Sequence, residues 1–303
     1  METEINLEQL VSRPIPIQES INGWKTIPIQ DNLEKLVPVS IFTYPIYMNI
    51  SNGYDSILVR EGLSDRLMAS ELLLPYGMHL ILFDGYRPYS VQKYLFDNYS
   101  KKLGKLHPDW ELNKVYSETE KYVSFPSQDL TCPSPHSTGG SVDIGIYTVS
   151  DDIQEKLDII DDKIKSSNEI DKKTILIDKF NLIANNLKLL DFGTKIDEVN
   201  ERTSLDYYEK QLLVRSLNET EQKCLKNRRL LYQIMTQSAG MEPYMDEWWH
   251  YNSPLTQMGA SSAGKNMANY GFASTSNDLN KFNIVVSNTN LTEYVTTIEP
   301  IKD

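Results

Sequence analysis

Cysteine and histidine are both scarce in this 303-residue chain, which contains two cysteines and four histidines. Two cysteines, Cys132 and Cys224, cannot form a disulfide framework, and no Cys-x-x-Cys pair occurs, so we expect a reducing compartment. No run approaches the roughly 18 apolar residues of a membrane span. The acidic N-terminus lacks the basic start and apolar run of a signal peptide. The sequence therefore predicts a cytoplasmic protein, although a chain from which a leader had been removed would look the same.

Positively charged residues are also fewer than negatively charged ones. The chain has 30 Lys and Arg residues and 42 Asp and Glu residues, which gives a net charge of -12. Such a surface repels the phosphate backbone of nucleic acids and anionic lipid, so we expect neither nucleic acid nor membrane as a partner. The simplest interpretation of the acidity is solubility. Hydrophobic residues make up 40% of the chain, which is enough for a sizeable core.

Strand-like and helical segments are mixed along the chain without a regular βαβ alternation, which predicts an α+β fold. We expect an N-terminal lead-in over residues 1–39, one domain over 40–255 with a helical insertion near 150–190, and a C-terminal extension over 256–303 with an unknown role. Strands are predicted at residues 37–48, 78–83, 142–147, 244–251 and 282–286, and helices at 62–74, from 90 onward and at 218–239.

Several local signals mark the ends of the predicted helices. Ser64 is a candidate cap for the helix at 62–74. Asn218 with Glu221 three residues later has the pattern of a capping box, and Gly240 is a natural C-terminal stop. Pro88 disfavours a helical backbone at the preceding residue, so Arg87 is expected at a strand exit or in a loop.

Two of the four histidines have simple structural interpretations. His79 lies inside the apolar run of residues 78–83, which predicts a core or half-buried histidine. His107 precedes a proline in a polar stretch and is predicted to lie on the surface. The remaining histidines are therefore the ones whose surroundings are informative.

His136 and His250 both lie near carboxylates. Glycines 139 and 140 allow a tight turn that can bring His136 back beside Asp143, and an imidazole and a carboxylate are suitable zinc ligands. Glu247 precedes His250 by three residues, and a bend would be needed to aim both at one ion, since they face opposite ways on a strand. A catalytic zinc needs three ligands, an open position and a nearby carboxylate that moves a proton.

Each of these pieces is weak alone. A histidine near an aspartate is usually structural, and Glu-x-x-His occurs by chance in many chains. Their combination in one chain is what a mononuclear zinc hydrolase requires. The chain contains no His-Glu-x-x-His, which excludes the common zincin arrangement.

These motifs resemble those of the VanX-type D-alanyl-D-alanine dipeptidases, within the wider group of zinc D,D-peptidases. Ser134, His136, Gly139 and Asp143 match a first zinc motif, and Glu-Trp-Trp-His-Tyr at 247–251 matches a second. Asp-Gly-Tyr-Arg-Pro at 84–88 resembles the family's arginine motif, and residues 227–240 resemble the helix before the second zinc motif. The similarity covers about residues 40–255, with gaps.

The resemblance implies a single hedgehog-like D,D-peptidase domain with a mostly antiparallel sheet flanked by helices. It implies one Zn²⁺ per chain, bound by His136, Asp143 and His250. Glu247 would be the general base and then acid, and Arg87 would stabilise the oxyanion. A loop salt bridge is the alternative role for this arginine.

The resemblance also suggests residues that bind substrate. The acidic segment at 193–198 points to Asp197 as the partner of the substrate ammonium, with Glu198 second, although a solvated acidic turn is nearly as plausible. Ser134 is a candidate hydrogen-bonding residue near the metal. The family's N-terminal substrate tyrosine corresponds to either Tyr44 or Tyr47.

Some features depart from the family's pattern. Ser141 replaces the small apolar residue usual in the first zinc motif. The insertion at 150–190 and the extension beyond 255 are larger than a minimal member needs and leave substrate choice open. Cys132 is interpreted as an ordinary thiol.

The leading hypothesis is a zinc dipeptidase that hydrolyses D-Ala-D-Ala in cell-wall metabolism. The alternatives are a D,D-carboxypeptidase or endopeptidase acting on larger peptidoglycan peptides, and a zinc-bearing binding module without turnover. The joint presence of Glu247 and Arg87 favours catalysis, because binding alone needs neither.

Overall fold

The structure of the protein is a computed structural model that describes residues 7–39, 41–46, 57–198 and 200–273. The strands are β1 (Leu36–Pro38), β2 (Phe42–Thr43), β3 (Leu58–Arg60), β4 (Met78–Asp84), β5 (Ser141–Thr148), β6 (Lys188–Leu189), β7 (Glu242–Pro243) and β8 (His250–Asn252). The helices are α1 (Leu7–Ser12), α2 (Glu61–Glu71), α3 (Tyr89–Leu106), α4 (Leu112–Thr119), α5 (Asp151–Ser166), α6 (Glu169–Asn186), α7 (Tyr207–Leu212), α8 (Glu219–Gln233) and α9 (Gln257–Ser262).

The main sheet has six strands in the order β2-β4-β5-β8-β7, with β6 pairing with β5 as well. Only the β2–β4 pair is parallel among the pairs of the described strands, and the others are antiparallel. Strands β1 and β3 form a separate antiparallel pair. The predicted α+β fold with a mostly antiparallel sheet is therefore confirmed.

The centre of the sheet is the pairing of β4 with β5. Leu80 to Phe83 and Val142 to Ile146 supply apolar side chains that are almost completely buried, as expected for strands covered on both faces. Ile81 lies opposite Gly145, and the register then shifts between Leu82 and Asp84. This irregularity places Asp84 directly opposite Asp143, so that the two carboxylates lie side by side at one end of the sheet.

The helices predicted for residues 150–190 are present as α5 and α6, which pack against each other. Ile153 and Leu157 on the first helix and Phe180 and Ile183 on the second join the main core. The apolar faces of the two inserted helices are therefore part of the same domain core.

The described part of the predicted lead-in, residues 7–39, contains helix α1 and strand β1. Its helix α1 packs against α8, and the backbone N–H of Ile15 donates to the buried carboxylate of Glu209. The first part of the predicted C-terminal extension contacts this lead-in, because Ile29 bridges to Ala268 and the Gln257 amide donates to the carbonyl of Ile27. The boundaries predicted for the domain remain predictions.

The predicted cap at Ser64 is wrong. Helix α2 starts at Glu61, directly after β3, with Arg60 at the N-cap position, and Ser64 is buried inside the helix. The chain enters the helix straight from a strand, and the carboxylate of Glu34, from the segment before β1, accepts from the N–H of Gly62 in the first turn. By contrast, the capping box of Asn218 and Glu221 is present at the start of α8.

One segment without a prediction is largely helical, and one predicted strand consists mostly of turns. The polar stretch at 100–125, which carries little sequence signal, contains the end of α3 and all of α4. In the predicted strand at 244–251 only the last residues pair, as part of β8, because Tyr244 to Trp249 form turns in which the N–H of Glu247 donates to the carbonyl of Tyr244 at 3.2 Å. Three predictions lie outside the described residues. They are Tyr47, the strand at 282–286, and a turn at 51–53 that the Asn-Gly pair there favours.

Within the described ranges, no helix combines the length and the apolar character needed to cross a membrane.

Candidate active site

Three side chains predicted as metal ligands converge at the end of the central strands. His136 comes from the short 3-10 helix at 135–138, Asp143 from β5 and His250 from β8, and strand register pairs Asp143 with His250. His136 Nε2 lies 3.2 Å from His250 Nδ1 and 3.5 Å from Asp143 Oδ1. The distance between His250 Nδ1 and Asp143 Oδ1 is 3.0 Å. All three residues are buried.

These separations suit a tetrahedral zinc ion. With bonds of about 2.0–2.2 Å, two ligand atoms on a tetrahedral zinc lie roughly 3.4 Å apart. The three observed distances of 3.0, 3.2 and 3.5 Å bracket that value. The residues therefore fit a Zn²⁺ ion as three protein ligands, which is the number found in catalytic sites with an open position.

The far nitrogen of each imidazole already has an acceptor. His136 Nδ1 lies 2.8 Å from the carbonyl oxygen of Gly85, and His250 Nε2 lies 3.2 Å from Asn252 Oδ1. When each of these nitrogens carries the proton and donates it, the other nitrogen has a free lone pair that faces the centre of the cluster. The imidazoles are thus held in the tautomers that metal binding requires.

Asp143 is held as a carboxylate. Burial alone would raise its pKa, but the interactions with His136 and then His250 outweigh burial and hold the pKa of Asp143 well below its usual range. Its second oxygen, Oδ2, lies 3.6 Å from an Nη atom of Arg87. The carboxylate therefore offers Oδ1 to the cluster while Oδ2 faces the arginine.

Glu247 lies beside the cluster because the chain turns before β8. The N–H of His250 donates to the Glu247 carbonyl at 3.3 Å, and Glu247 Oε2 lies 4.0 Å from His250 Nδ1. This turn is the bend that the sequence required for both side chains to face one point. Burial and the nearby carboxylates of Asp143 and Asp197 raise the pKa of Glu247 well above its usual value. A carboxyl group with a raised pKa is suited to accepting and returning a proton.

Arg87 lies in the loop after β4, as predicted from Pro88. Its Nε donates to Asp84 Oδ2 at 2.7 Å, and Nη1 donates to Gln92 Oε1 at 2.9 Å. Gln92 is fixed in turn by donating to the carbonyl of Ser124 at 2.6 Å. The salt bridge considered as the alternative role is thus present, and it orients the guanidinium so that Nη2 faces Asp143.

The two other predicted substrate-binding residues lie in different settings. Ser134 is buried, and its Oγ lies 2.7 Å from Ser137 Oγ in the turn that carries His136. Asp197 has a φ of 58°, a left-handed backbone that few non-glycine residues adopt. Its negative charge contributes to the raised pKa of Glu247. Glu198, the second candidate, caps its own loop by accepting from the N–H of Lys195 at 2.9 Å.

An apolar cavity of about 270 Å³ lies under the loop that contains Asp197. Its floor includes Gly145, which lies on the same face of β5 as Asp143, and its walls include the stacked rings of Phe192 and Trp248. Trp248 is held there by donating from Nε1 to Thr194 Oγ1 at 2.8 Å. Tyr44, one of the two candidate substrate tyrosines, is half-buried against the main core.

Sequence reasoning missed three residues that support this site. Asp84 and Gln92 hold Arg87, and Asn252 faces His250. Asp84 lies in the arginine motif, three residues before Arg87, so the sequence already indicated that its carboxylate could pair with this arginine. Nothing in the local sequence marks Asn252, whose role depends on the alignment of two strands.

Comparison with known proteins agrees with the sequence motifs. Residues 173–263 match a family model described as D-ala-D-ala dipeptidase. Over 251 residues the chain is 24% identical to a D-alanyl-D-alanine dipeptidase of Synechocystis sp., an alignment that covers 77% of this chain and 87% of that relative. The resemblance to D-alanyl-D-alanine dipeptidases is confirmed. The region matched by the family model contains Glu247 and His250, and the geometry adds His136 and Asp143 from outside it.

A solved structure also shows partial similarity to this chain. It is a zinc-bound mutant of the D,D-pentapeptidase VanY from a VanB-type vancomycin resistance cassette, with 15% sequence identity. The alignment covers 83% of this chain and 94% of that chain with a TM-score of 0.31, an overlap too limited to define a shared fold.

Proposed function

We propose that this protein is a zinc metallopeptidase that hydrolyses the dipeptide D-Ala-D-Ala as part of peptidoglycan metabolism. The observation that carries the proposal is the convergence of His136 Nε2, Asp143 Oδ1 and His250 Nδ1 to within 3.5 Å of one another, with Glu247 beside them. The similarity to D-alanyl-D-alanine dipeptidases supports a peptidase. The choice of D-Ala-D-Ala as substrate follows from the names of those relatives.

The three ligands would hold one Zn²⁺ ion, leaving an open position for reactants. When bound, zinc supplies a water of lowered pKa and polarises the carbonyl that is attacked. The protein's own contribution is to hold both imidazoles in the right tautomers and to keep Asp143 ionised. Each ligand is buried, which excludes competing solvent from the ligand atoms.

Glu247 is the proposed proton carrier. Its Oε2 lies 4.0 Å from His250 Nδ1, close enough to the proposed open position to take a proton from the attacking water. The same carboxyl group then gives the proton to the leaving amine. Its raised pKa favours the protonated form that this second step requires.

Arg87 is the proposed oxyanion stabiliser. Asp84 and Gln92 hold the guanidinium by Nε and Nη1, so its orientation is set before substrate arrives. A guanidinium stays charged at neutral pH and can donate to the oxygen that gains negative charge in the transition state. Such preorganised donors are worth about 3–4 kcal/mol in comparable enzymes.

Asp197 is the proposed partner of the substrate ammonium group, because it contributes negative charge near Glu247 from a tight loop. Ser134 stays a weaker proposal, since its hydroxyl already pairs with Ser137. The proposed compartment is the cytoplasm, in keeping with two cysteines that are both free.

The decisive experiment measures free D-alanine released from D-Ala-D-Ala by protein whose zinc content has been determined. We expect turnover in the zinc-loaded wild type, none in Glu247→Ala, and zinc bound in both. Glu155→Ala is the matched control, because Glu155 is an exposed glutamate on α5, and it should keep wild-type activity.

Two outcomes would contradict the proposal. A wild-type protein that binds zinc but releases no D-alanine from D-Ala-D-Ala, while cleaving a pentapeptide stem, would indicate a carboxypeptidase. A zinc-bound protein that cleaves neither would indicate a binding module.

A further inference from the structure

We propose that Ser141 and Asn252 form a positioning pair that holds His250 in the orientation and tautomer needed to bind zinc. This inference rests on the proposed function, because it takes His250 as a zinc ligand. Neither residue is expected to touch the metal or the substrate. They act through the imidazole.

Asn252 and His250 lie two residues apart on β8, so their side chains share one face of the sheet. Asn252 Oδ1 lies 3.2 Å from His250 Nε2. The opposite nitrogen, Nδ1, faces Asp143 and His136 at 3.0 and 3.2 Å. The asparagine therefore contacts the one ring nitrogen that is turned away from the ligand cluster.

Ser141 fixes the orientation of the asparagine amide. It is the first residue of β5 and lies directly opposite Asn252 in the strand register. Its hydroxyl donates to Asn252 Oδ1 at 2.7 Å, while Asn252 Nδ2 lies 3.3 Å from the sulfur of Met258. The Met258 sulfur can only accept, so it favours the rotation in which the NH₂ group faces the sulfur and the amide oxygen faces His250 and the Ser141 hydroxyl.

The orientation matters because a neutral imidazole carries one proton on one of its two nitrogens. With an oxygen acceptor beside Nε2, the proton is favoured there and Nδ1 keeps its lone pair for the metal. With no acceptor beside Nε2, the proton would move to Nδ1, where it would donate to Asp143 and block the ligand position. The pair is buried, with exposed fractions of 0% for Ser141 and 1% for Asn252, so water does not replace the acceptor.

Ser141 is also the residue that departs from the small apolar residue of the resembled zinc motif. The structure gives its hydroxyl a partner, which an alanine would lack. The partner of Ser141 is therefore Asn252 on the neighbouring strand, a residue that no sequence motif marks.

The test measures the zinc dissociation constant by competition with a chromophoric chelator, with no activity assay. We expect Asn252→Leu to weaken zinc binding by about 10- to 100-fold, the usual effect of removing a hydrogen-bond partner of a ligand. Asn252→Asp keeps an oxygen acceptor and should stay within a few-fold of wild type. Ser141→Ala should weaken binding less than Asn252→Leu, because the amide oxygen is still present.

A double variant separates positioning from general stability. If Ser141 acts through Asn252, then Ser141→Ala should cause no further loss of zinc affinity in the Asn252→Leu background. Ser100→Ala is the matched control, because Ser100 is also buried and bonded to another side chain, Thr119, at 3.1 Å. It lies on α3 away from the ligands and should leave zinc affinity unchanged.

The inference is overturned if folded Asn252→Leu, checked by circular dichroism without metal, binds zinc as tightly as the wild type. If that variant does not fold, wild-type affinity in Ser141→Ala overturns it instead. Fully additive losses in the double variant would overturn the coupling between the two residues. A wild type that binds no zinc would overturn this inference and the proposed function together, whereas zinc binding without dipeptide turnover would affect the proposed function alone.

Discussion

Replacing the buried Arg228 should destabilise the loop that carries Asp197. Arg228 lies on α8 with an exposed fraction of 0%. Its guanidinium donates to the backbone carbonyls of Phe192 at 2.8 Å, Ser204 at 2.5 Å and Arg202 at 2.6 Å. These carbonyls stand before and after Asp197 in the chain, so one side chain fixes both ends of the loop. The perturbation is Arg228→Met, which keeps much of the apolar stem and removes the donors.

The size of the effect follows from these contacts. Burial lowers the pKa of Arg228 to about 10, so the side chain is still charged at neutral pH. Hydrogen bonds to a charged group contribute about 1.5–3 kcal/mol each, or roughly 5–9 kcal/mol for the three carbonyls. Burying the guanidinium costs several kcal/mol, which methionine avoids. We therefore expect a net loss of about 3 kcal/mol in the free energy of unfolding.

The assay is urea unfolding followed by circular dichroism in the presence of a chelator, so that zinc does not contribute. Arg215→Met is the control, because Arg215 is an exposed arginine paired with Glu221, and it should unfold like the wild type. In Arg228→Lys, which keeps the charge but not the planar fork, KM for D-Ala-D-Ala should rise while kcat changes less. An Arg228→Met protein as stable as the wild type would refute the reasoning that the three carbonyls depend on this side chain.

Three further predictions concern metal, pH and a helix end. Adding a chelator to the zinc-loaded protein should lower its Tm, because free zinc at 1,000 times its dissociation constant stabilises the folded state by about 4 kcal/mol; an unchanged Tm would contradict the zinc site. His79 lies 2.7 Å from Glu71 and 2.6 Å from Gln154 Oε1, and these partners outweigh burial and raise the pKa of His79. Its contribution to stability should therefore be complete below about pH 6.5, the unfolded-state pKa, and be lost as pH rises through the higher folded-state pKa. Urea midpoints measured across this pH range should fall more steeply with rising pH for the wild type than for Glu71→Gln. Parallel curves would contradict the proposed contribution of the His79–Glu71 pair to stability. Asn218→Ala removes the capping box of α8 and should lower the free energy of unfolding, measured in urea, by about 1 kcal/mol. Asn218→Ser keeps a capping side chain and should recover most of that stability.

Where a structural feature depends on neighbours in the chain, the sequence was sufficient to predict it. The apolar run of β4 and the alternating pattern of β5 marked the two central strands almost to the residue. Asn218, Glu221 and Gly240 marked both ends of the segment that contains α8, since a cap and a left-handed stop act within a few residues. Pro88 placed Arg87 at the strand exit by a steric restriction on the residue before it.

The same reasoning failed where a distant segment decided the outcome. Ser64 has the chemistry of a cap, but the pairing of β3 with β1 moved the start of α2 forward to Glu61. The aromatic run at 244–251 has the composition of a strand, yet most of it forms turns that set Glu247 beside His250. Strand propensity is a weak preference that tertiary contacts readily override.

The sequence by itself determined which groups are candidates for the chemistry, because His136, Asp143, Glu247 and His250 stand in recognisable motifs. Only the tertiary structure decided how they meet. The shifted register of β4 against β5 sets the carboxylates of Asp84 and Asp143 side by side, and the pairing of β5 with β8 brings His250 to Asp143. The partner of His250 on its far side, Asn252, was likewise visible only in the folded chain. Hydrogen bonds and metal ligation act over about 2–3.5 Å, and a linear sequence does not specify which residues 100 or more positions apart will come within that distance.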